Sequence, residues 1–159
     1  MELKPRKIAL DVGDKTIGTA LSDELGLTGQ GLTTIERIGI KKDTDAVVSL
    51  IKEYRCDTVV IGLPLSLDGT DSVQTEKVRA FRTKLENKLR SSGMQDVRIV
   101  WQDERFTTVI AEDVLKSADL SREKRKKVID KQAAVLIMQS WLDAENMRAA
   151  LQEEGVDRK

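Results

Sequence analysis

The chain reads as a three-layer α/β fold, and three observations predict it. Residues 7–13, KIALDVG, alternate: Ile8, Leu10 and Val12 share one side, Ala9 and Asp11 the other, as in a half-buried strand. Residues 57–64, DTVVIGLP, are almost wholly apolar, as in a strand covered on both faces. Residues 126–142, KKVIDKQAAVLIMQSWL, carry an apolar stripe at helical spacing.

The elements follow in order. After the first strand, residues 13–15 make a tight turn and residues 16–23, TIGTALSD, return as a second strand. Residues 31–38, GLTTIERI, supply a third, completing an antiparallel meander. Residues 43–54 form a helix in which Ala46, Val47, Leu50, Ile51 and Tyr54 keep 3/4 spacing, with Asp43 as its cap. The apolar fourth strand leads into a loop over residues 62–72. A long helix then runs to about Ser92, with Val78, Phe81, Leu85 and Leu89 as its stripe. Residues 97–102, VRIVWQ, read as a fifth strand, and residues 107–116 as a helix capped by Thr107 or Thr108. Residues 118–127 are a basic loop or helix start, and the last helix covers about Lys126 to Gln152. The order βββαβαβαα fits one domain over residues 1–159, with about 153–159 as a frayed tail.

Composition excludes several chemistries. There are 27 basic and 27 acidic residues, so anion binding must come from a local patch rather than net charge. No histidine is present, which removes the commonest general base and metal ligand. The single cysteine, Cys56, rules out an internal disulfide and a Cys-x-x-Cys site; it reads as a small buried residue in a reducing cytoplasm. The N-terminus lacks the apolar core of a signal peptide, and no run approaches the roughly 18 apolar residues of a membrane span. Chemistry must then rest on carboxylates, cations and hydroxyls, and carboxylates with a metal are the obvious route.

Three acids sit in apolar settings. Asp11 lies in the first strand beside Gly13. Asp103 and Glu104 end the fifth strand, and if both strands are central and parallel their carboxyl ends lie side by side. Asp130 heads a helical stripe with Ala133, Ala134, Ile137, Trp141 and Ala144. A buried carboxylate needs a compensating cation, either a side chain or a metal. Convergence of the three suits Mg²⁺ or Mn²⁺, hard ions that prefer oxygen ligands. Two such ions about 3.5–4 Å apart activate a water and stabilise the leaving oxygen of a phosphodiester. Each acid also has a plainer reading: a turn cap for Asp11, a solvated turn for Asp103 and Glu104, an ion pair with Arg105 or a lysine for Asp130.

The segments IALDVGDKTIGTALSD, VVIGLPLSLDGT, VRAFRTKL, WQDERFTTVIAEDVL and DKQAAVLIMQSWL together resemble the YqgF family of the RNase H-like superfamily. The resemblance implies an RNase H-like fold, a five-stranded mixed sheet flanked by helices. It also implies a metal-dependent catalytic triad on Asp11, Glu104 and Asp130, with Asp103 able to share or replace the middle role. The implied activity is a nuclease linked to 5′-end maturation of pre-16S rRNA; the family also carries the label of Holliday junction resolvase. Arg122, Lys124, Arg125, Lys126, Lys127 and Lys131 gather around Asp130 and can hold a phosphate backbone, as can Arg105, which can instead pair with an acid. Five aromatics leave few stacking platforms for single-stranded bases, favouring backbone and shape recognition. A non-catalytic nucleic-acid-binding protein is the plainer alternative. DVGDKTIG also resembles the first phosphate loop of actin-like ATPases, but those clamp nucleotide between two such domains and 159 residues hold one.

Overall fold

Alternation in the first strand decides how the whole chain is layered. The computed structural model describes residues 3–104 and 122–157, and the side chains of residues 3–104 and 132–153. Strands β1 (Arg6–Val12), β2 (Thr16–Ser22) and β3 (Gly29–Glu36) form the expected meander, β1 and β2 antiparallel, β2 and β3 antiparallel. Helix α1 (Ile40–Tyr54) crosses to β4 (Cys56–Leu63), and α2 (Val73–Ser91) crosses to β5 (Arg98–Asp103), both strands parallel to β1. Helix α3 (Arg122–Asp157) closes the chain. The sheet order is β3-β2-β1-β4-β5, a five-stranded mixed sheet.

Each face of the sheet has its own core. Ile8, Leu10, Val12, Ile17, Leu21, Val59 and Ile61 meet Val47, Val48 and Ile51 of α1 and Val78, Phe81, Leu85 and Leu89 of α2. On the other face Ala9, Ala20 and Val60 meet Ala134, Ile137, Met138, Trp141 and Leu142 of α3. Small side chains at Ala9, Ala20 and Ala134 let α3 lie close to the strands. Its direction is set by two contacts: Lys7, at the start of β1, lies 6.0 Å from the Trp141 ring, while Ile137 sits over Gly62 near the end of β4. The helix therefore runs antiparallel to β1. Gln139 ties it to the β2–β3 hairpin, accepting from Gly29 N–H at 3.0 Å and donating to the Leu27 carbonyl at 2.9 Å.

Several boundaries differ from the sequence reading. Helix α1 begins at Ile40, three residues before Asp43, and its N-cap is Gly39. Asp43 is buried in the first turn instead, where Oδ1 accepts from Ile38 N–H at 3.0 Å and Oδ2 from Arg37 Nε at 2.9 Å. Burial pushes its carboxyl up, but these donors together hold it below the ordinary value of 3.8. Gly62 belongs to β4 and not to the following loop. Helix α3 starts at Arg122 and continues to Asp157, so helix occupies most of the stretch expected to fray. The helix expected over 107–116 lies outside the described residues. Cys56 is buried, as its sequence setting implied, and burial pushes its thiol up to about 11. Among the described residues no helix is long and apolar enough to cross a membrane.

Candidate functional site

The α3 face of the sheet carries an unusual row at the carboxyl end of β1. Asp11 pairs in register with Gly18 of β2. Gly62 of β4 pairs with Gln102 of β5, one step beyond the Leu10–Ile61 pair that joins β1 to β4. The row thus reads Gly18, Asp11, Gly62, Gln102, with no β-carbon on either side of the aspartate. Asp11 is half-buried there, on the same side as Ala9.

Glu104 follows β5 directly, and its N–H donates to the Leu63 carbonyl at 3.2 Å. Alternation then separates the two acids that the sequence left open. Asp103 projects to the α1–α2 side and is exposed. Glu104 falls on the α3 side, with Asp11 and Gln102. The two strands that supply Asp11 and Glu104 are not neighbours, contrary to the simplest expectation, because β4 stands between them. Strands lie about 4.8 Å apart, so roughly 10 Å of sheet separates the two backbones.

Gly62 is what closes that gap. A β-carbon built on it would lie 2.5 Å from Glu104 Oε2, 3.0 Å from its Cδ and 2.5 Å from Ile137 Cδ1. The Glu104 carboxylate thus rests in the space a side chain at 62 would fill, reaching back over β4 towards Asp11 and facing Ile137 of α3. Glu104 Oε2 is buried and has no hydrogen-bond partner among the described residues. Burial, then the charge of Asp11, then that of Asp103, push its carboxyl up to about 8. Such a group is protonated at neutral pH unless a cation offsets its charge.

The donor set fits a hard divalent cation. It is all oxygen, one member is orphaned, and a glycine keeps the approach open. Among the described residues no group of three ligating acids is complete. Asp130 lies within α3, and its side chain is outside the described set, as are those of Arg122, Lys124, Arg125, Lys126, Lys127 and Lys131. Arg105 is outside it altogether. The residues from 122 to 131 occupy the first turns of α3, so the basic run is helical backbone rather than loop.

Reading the sequence alone missed three participants. Gly62 could have been found, since a glycine inside an apolar β-branched run marks a close approach. Gln74 donates from Nε2 to the Val12 carbonyl at 3.1 Å, and Arg37 from Nη1 to the Gly13 carbonyl at 2.8 Å, so both hold the end of β1. Neither announces itself in sequence, because each depends on loops meeting in three dimensions.

Comparison with known proteins bears on the family and the fold. A family model described as RuvX, Holliday junction resolvase, matches residues 5–144. A protein of Desulforamulus reducens described as "Putative pre-16S rRNA nuclease" is 49% identical over 139 residues, covering 87% of this chain and 97% of that protein. One of Clostridium novyi with the same description is 45% identical over 139 residues, covering 87% and 98%. Among solved structures, T. thermophilus RuvC in complex with a Holliday junction substrate superposes with a TM-score of 0.52 at 10% identity, covering 84% of this chain and 92% of that one. The fowlpox virus Holliday junction resolvase gives 0.53 at 14% identity, covering 87% and 98%. These two structural likenesses show the fold, which is RNase H-like.

Proposed function

The chain belongs to the RuvX family, the YqgF group suggested by its motifs, and is a nuclease acting on phosphodiester bonds; on that premise we propose that it cuts structured nucleic acid with Mg²⁺ or Mn²⁺, and that its reaction is 5′-end processing of pre-16S rRNA. One observation carries the metal-dependent reading. Glu104 is folded over Gly62 into a dry position beside Asp11, with an oxygen that finds no partner among the described residues. A protein gains nothing from crowding two acids in this way unless a cation joins them.

Asp11, Glu104 and Asp130 would hold that cation, while Asp103, on the opposite face, adds only its nearby charge. Asp130 joins them because it shares the α3 stripe with Ile137, and α3 runs from the carboxyl ends of the strands towards their starts. When bound, the ion supplies an activated water and offsets charge on the leaving oxygen. The protein's own part is positional and electrostatic. Glu104 gives up its proton on loading, Ile137 keeps bulk water from its carboxylate, and Gly62, lacking a side chain, gives that carboxylate its place. Arg105 and the basic first turns of α3, Arg122, Lys124, Arg125, Lys126, Lys127 and Lys131, hold the nucleic-acid backbone as point charges. The same reading takes residues 1–159 as one nuclease domain working in the cytoplasm.

The family description favours a second substrate, four-way DNA. Purified protein is tested with Mg²⁺ and Mn²⁺ on 5′-extended pre-16S rRNA fragments and on mobile and fixed DNA junctions. Cleavage of the RNA, lost in Asp11→Asn, Glu104→Gln and Asp130→Asn, is the expected result. Cleavage that survives all three substitutions sinks the site assignment, and cutting of junctions alone replaces the RNA reaction by resolution.

A further inference from the structure

β1 ends at Val12, and the carbonyls of Val12 and Gly13, the two residues after Asp11, are each taken by a side chain from elsewhere. Val12 O accepts from Gln74 Nε2 at 3.1 Å, in the first turn of α2. Gly13 O accepts from Arg37 Nη1 at 2.8 Å. Arg37 is itself fixed on three sides. Its Nε donates to Asp43 Oδ2 at 2.9 Å, its guanidinium lies 5.4 Å from the Phe81 ring centroid, and its own N–H donates to the Lys15 carbonyl at 2.9 Å. Asp43 is 1% exposed and also accepts from Ile38 N–H, so the cation cannot swing away without stranding a buried charge.

We infer that Gln74 and the Arg37–Asp43 pair are positioning residues for Asp11, clamping the two peptide units after it so that its carboxylate stays aimed at Glu104. The inference rests on the reading of Asp11 as a metal ligand. Arg37 gives its Nε to Asp43 and its Nη1 to the Gly13 carbonyl, and its effect passes through that carbonyl. Gln74 acts from the first turn of α2, through the Val12 carbonyl. Metal sites lose affinity when the groups that orient their ligands are removed, even with every ligand present.

The test uses full-length protein and Gln74→Met, which keeps the stem and loses the donor, with Arg37→Lys as a second variant that keeps charge without the planar fork. Mn²⁺ affinity is measured by electron paramagnetic resonance without nucleic acid, alongside nucleic-acid affinity, kcat, KM and melting temperature. Loss of one such bond should weaken Mn²⁺ binding about fivefold. kcat should fall with it, while KM for nucleic acid and the melting temperature of Gln74→Met stay near wild type. Added Mn²⁺ should restore much of the kcat. Unchanged Mn²⁺ affinity in both variants overturns the clamp. Asp11→Asn is run beside them: if it binds Mn²⁺ like wild type, the metal-ligand reading fails, whatever the two clamp variants do. If Asp11→Asn loses Mn²⁺ while both clamp variants keep it, only the clamp falls.

Discussion

At the scale of single residues, the carboxyl of Glu104 ties stability to pH and to the metal binding proposed above. Its ordinary value is 4.5 and burial beside Asp11 pushes it up to about 8. The folded protein therefore binds a proton there more tightly than the unfolded chain does. Without metal, that preference favours folding fully below pH 4.5 and is lost as pH rises towards 8. Unfolding measured in chelator from pH 5 to 9 should show stability falling with pH, and Glu104→Gln should flatten that slope. A slope unchanged in the variant refutes the placement of this proton. Gly62→Ala tests the same neighbourhood by shape. The new methyl meets the far ends of two flexible side chains, Glu104 and Ile137, so the fold yields by moving them, at about 1 kcal/mol. Glu104 then leaves its place, and kcat should drop at least about tenfold; activity near wild type in a folded Gly62→Ala protein would contradict the reach of Glu104 over β4.

At the scale of elements, helix ends show which signals are local. Ser72 caps α2 by a reciprocal arrangement with Thr75: Thr75 N–H donates to Ser72 Oγ at 3.2 Å and Ser72 N–H to Thr75 Oγ1 at 3.0 Å. Ser72→Ala should cost about 1 kcal/mol by denaturant unfolding. Arg55 ends α1 at φ 53°, a left-handed conformation that a side chain resists. Arg55→Gly should stabilise by about 0.5–1 kcal/mol, read as a higher melting temperature with activity unchanged. The start of α1 was harder to read. Asp43 is the type of residue that caps a helix, yet it sits one turn inside because Arg37 and Ile38 N–H claim its oxygens from outside the helix. Periodicity locates the body of a helix, but its first residue is decided by whichever partner reaches the capping group.

At the scale of the molecule, the sheet works as a partition, with α1 and α2 on one side and α3 on the other. The proposed site needs α3 to lie flat against Ala9 and Ala20. Ala20→Leu should lift the helix, costing about 1–3 kcal/mol by overpacking and, on the reading of Asp130 as the third ligand, removing activity; a folded, fully active Ala20→Leu protein would show that close docking is not required. The sequence alone determined the layered α/β class, the meander, the two crossovers and the candidate acids, because strand alternation and helical stripes record which side of each element faces the core. Setting Glu104 and Asp103 on opposite faces, inserting β4 between the two acidic strands, laying Glu104 over Gly62, and bringing Arg37 and Gln74 to the end of β1 were decided by tertiary structure. Those outcomes depend on strand order and on side chains that meet across 20 residues or more, and local periodicity carries no trace of which distant segment becomes a neighbour.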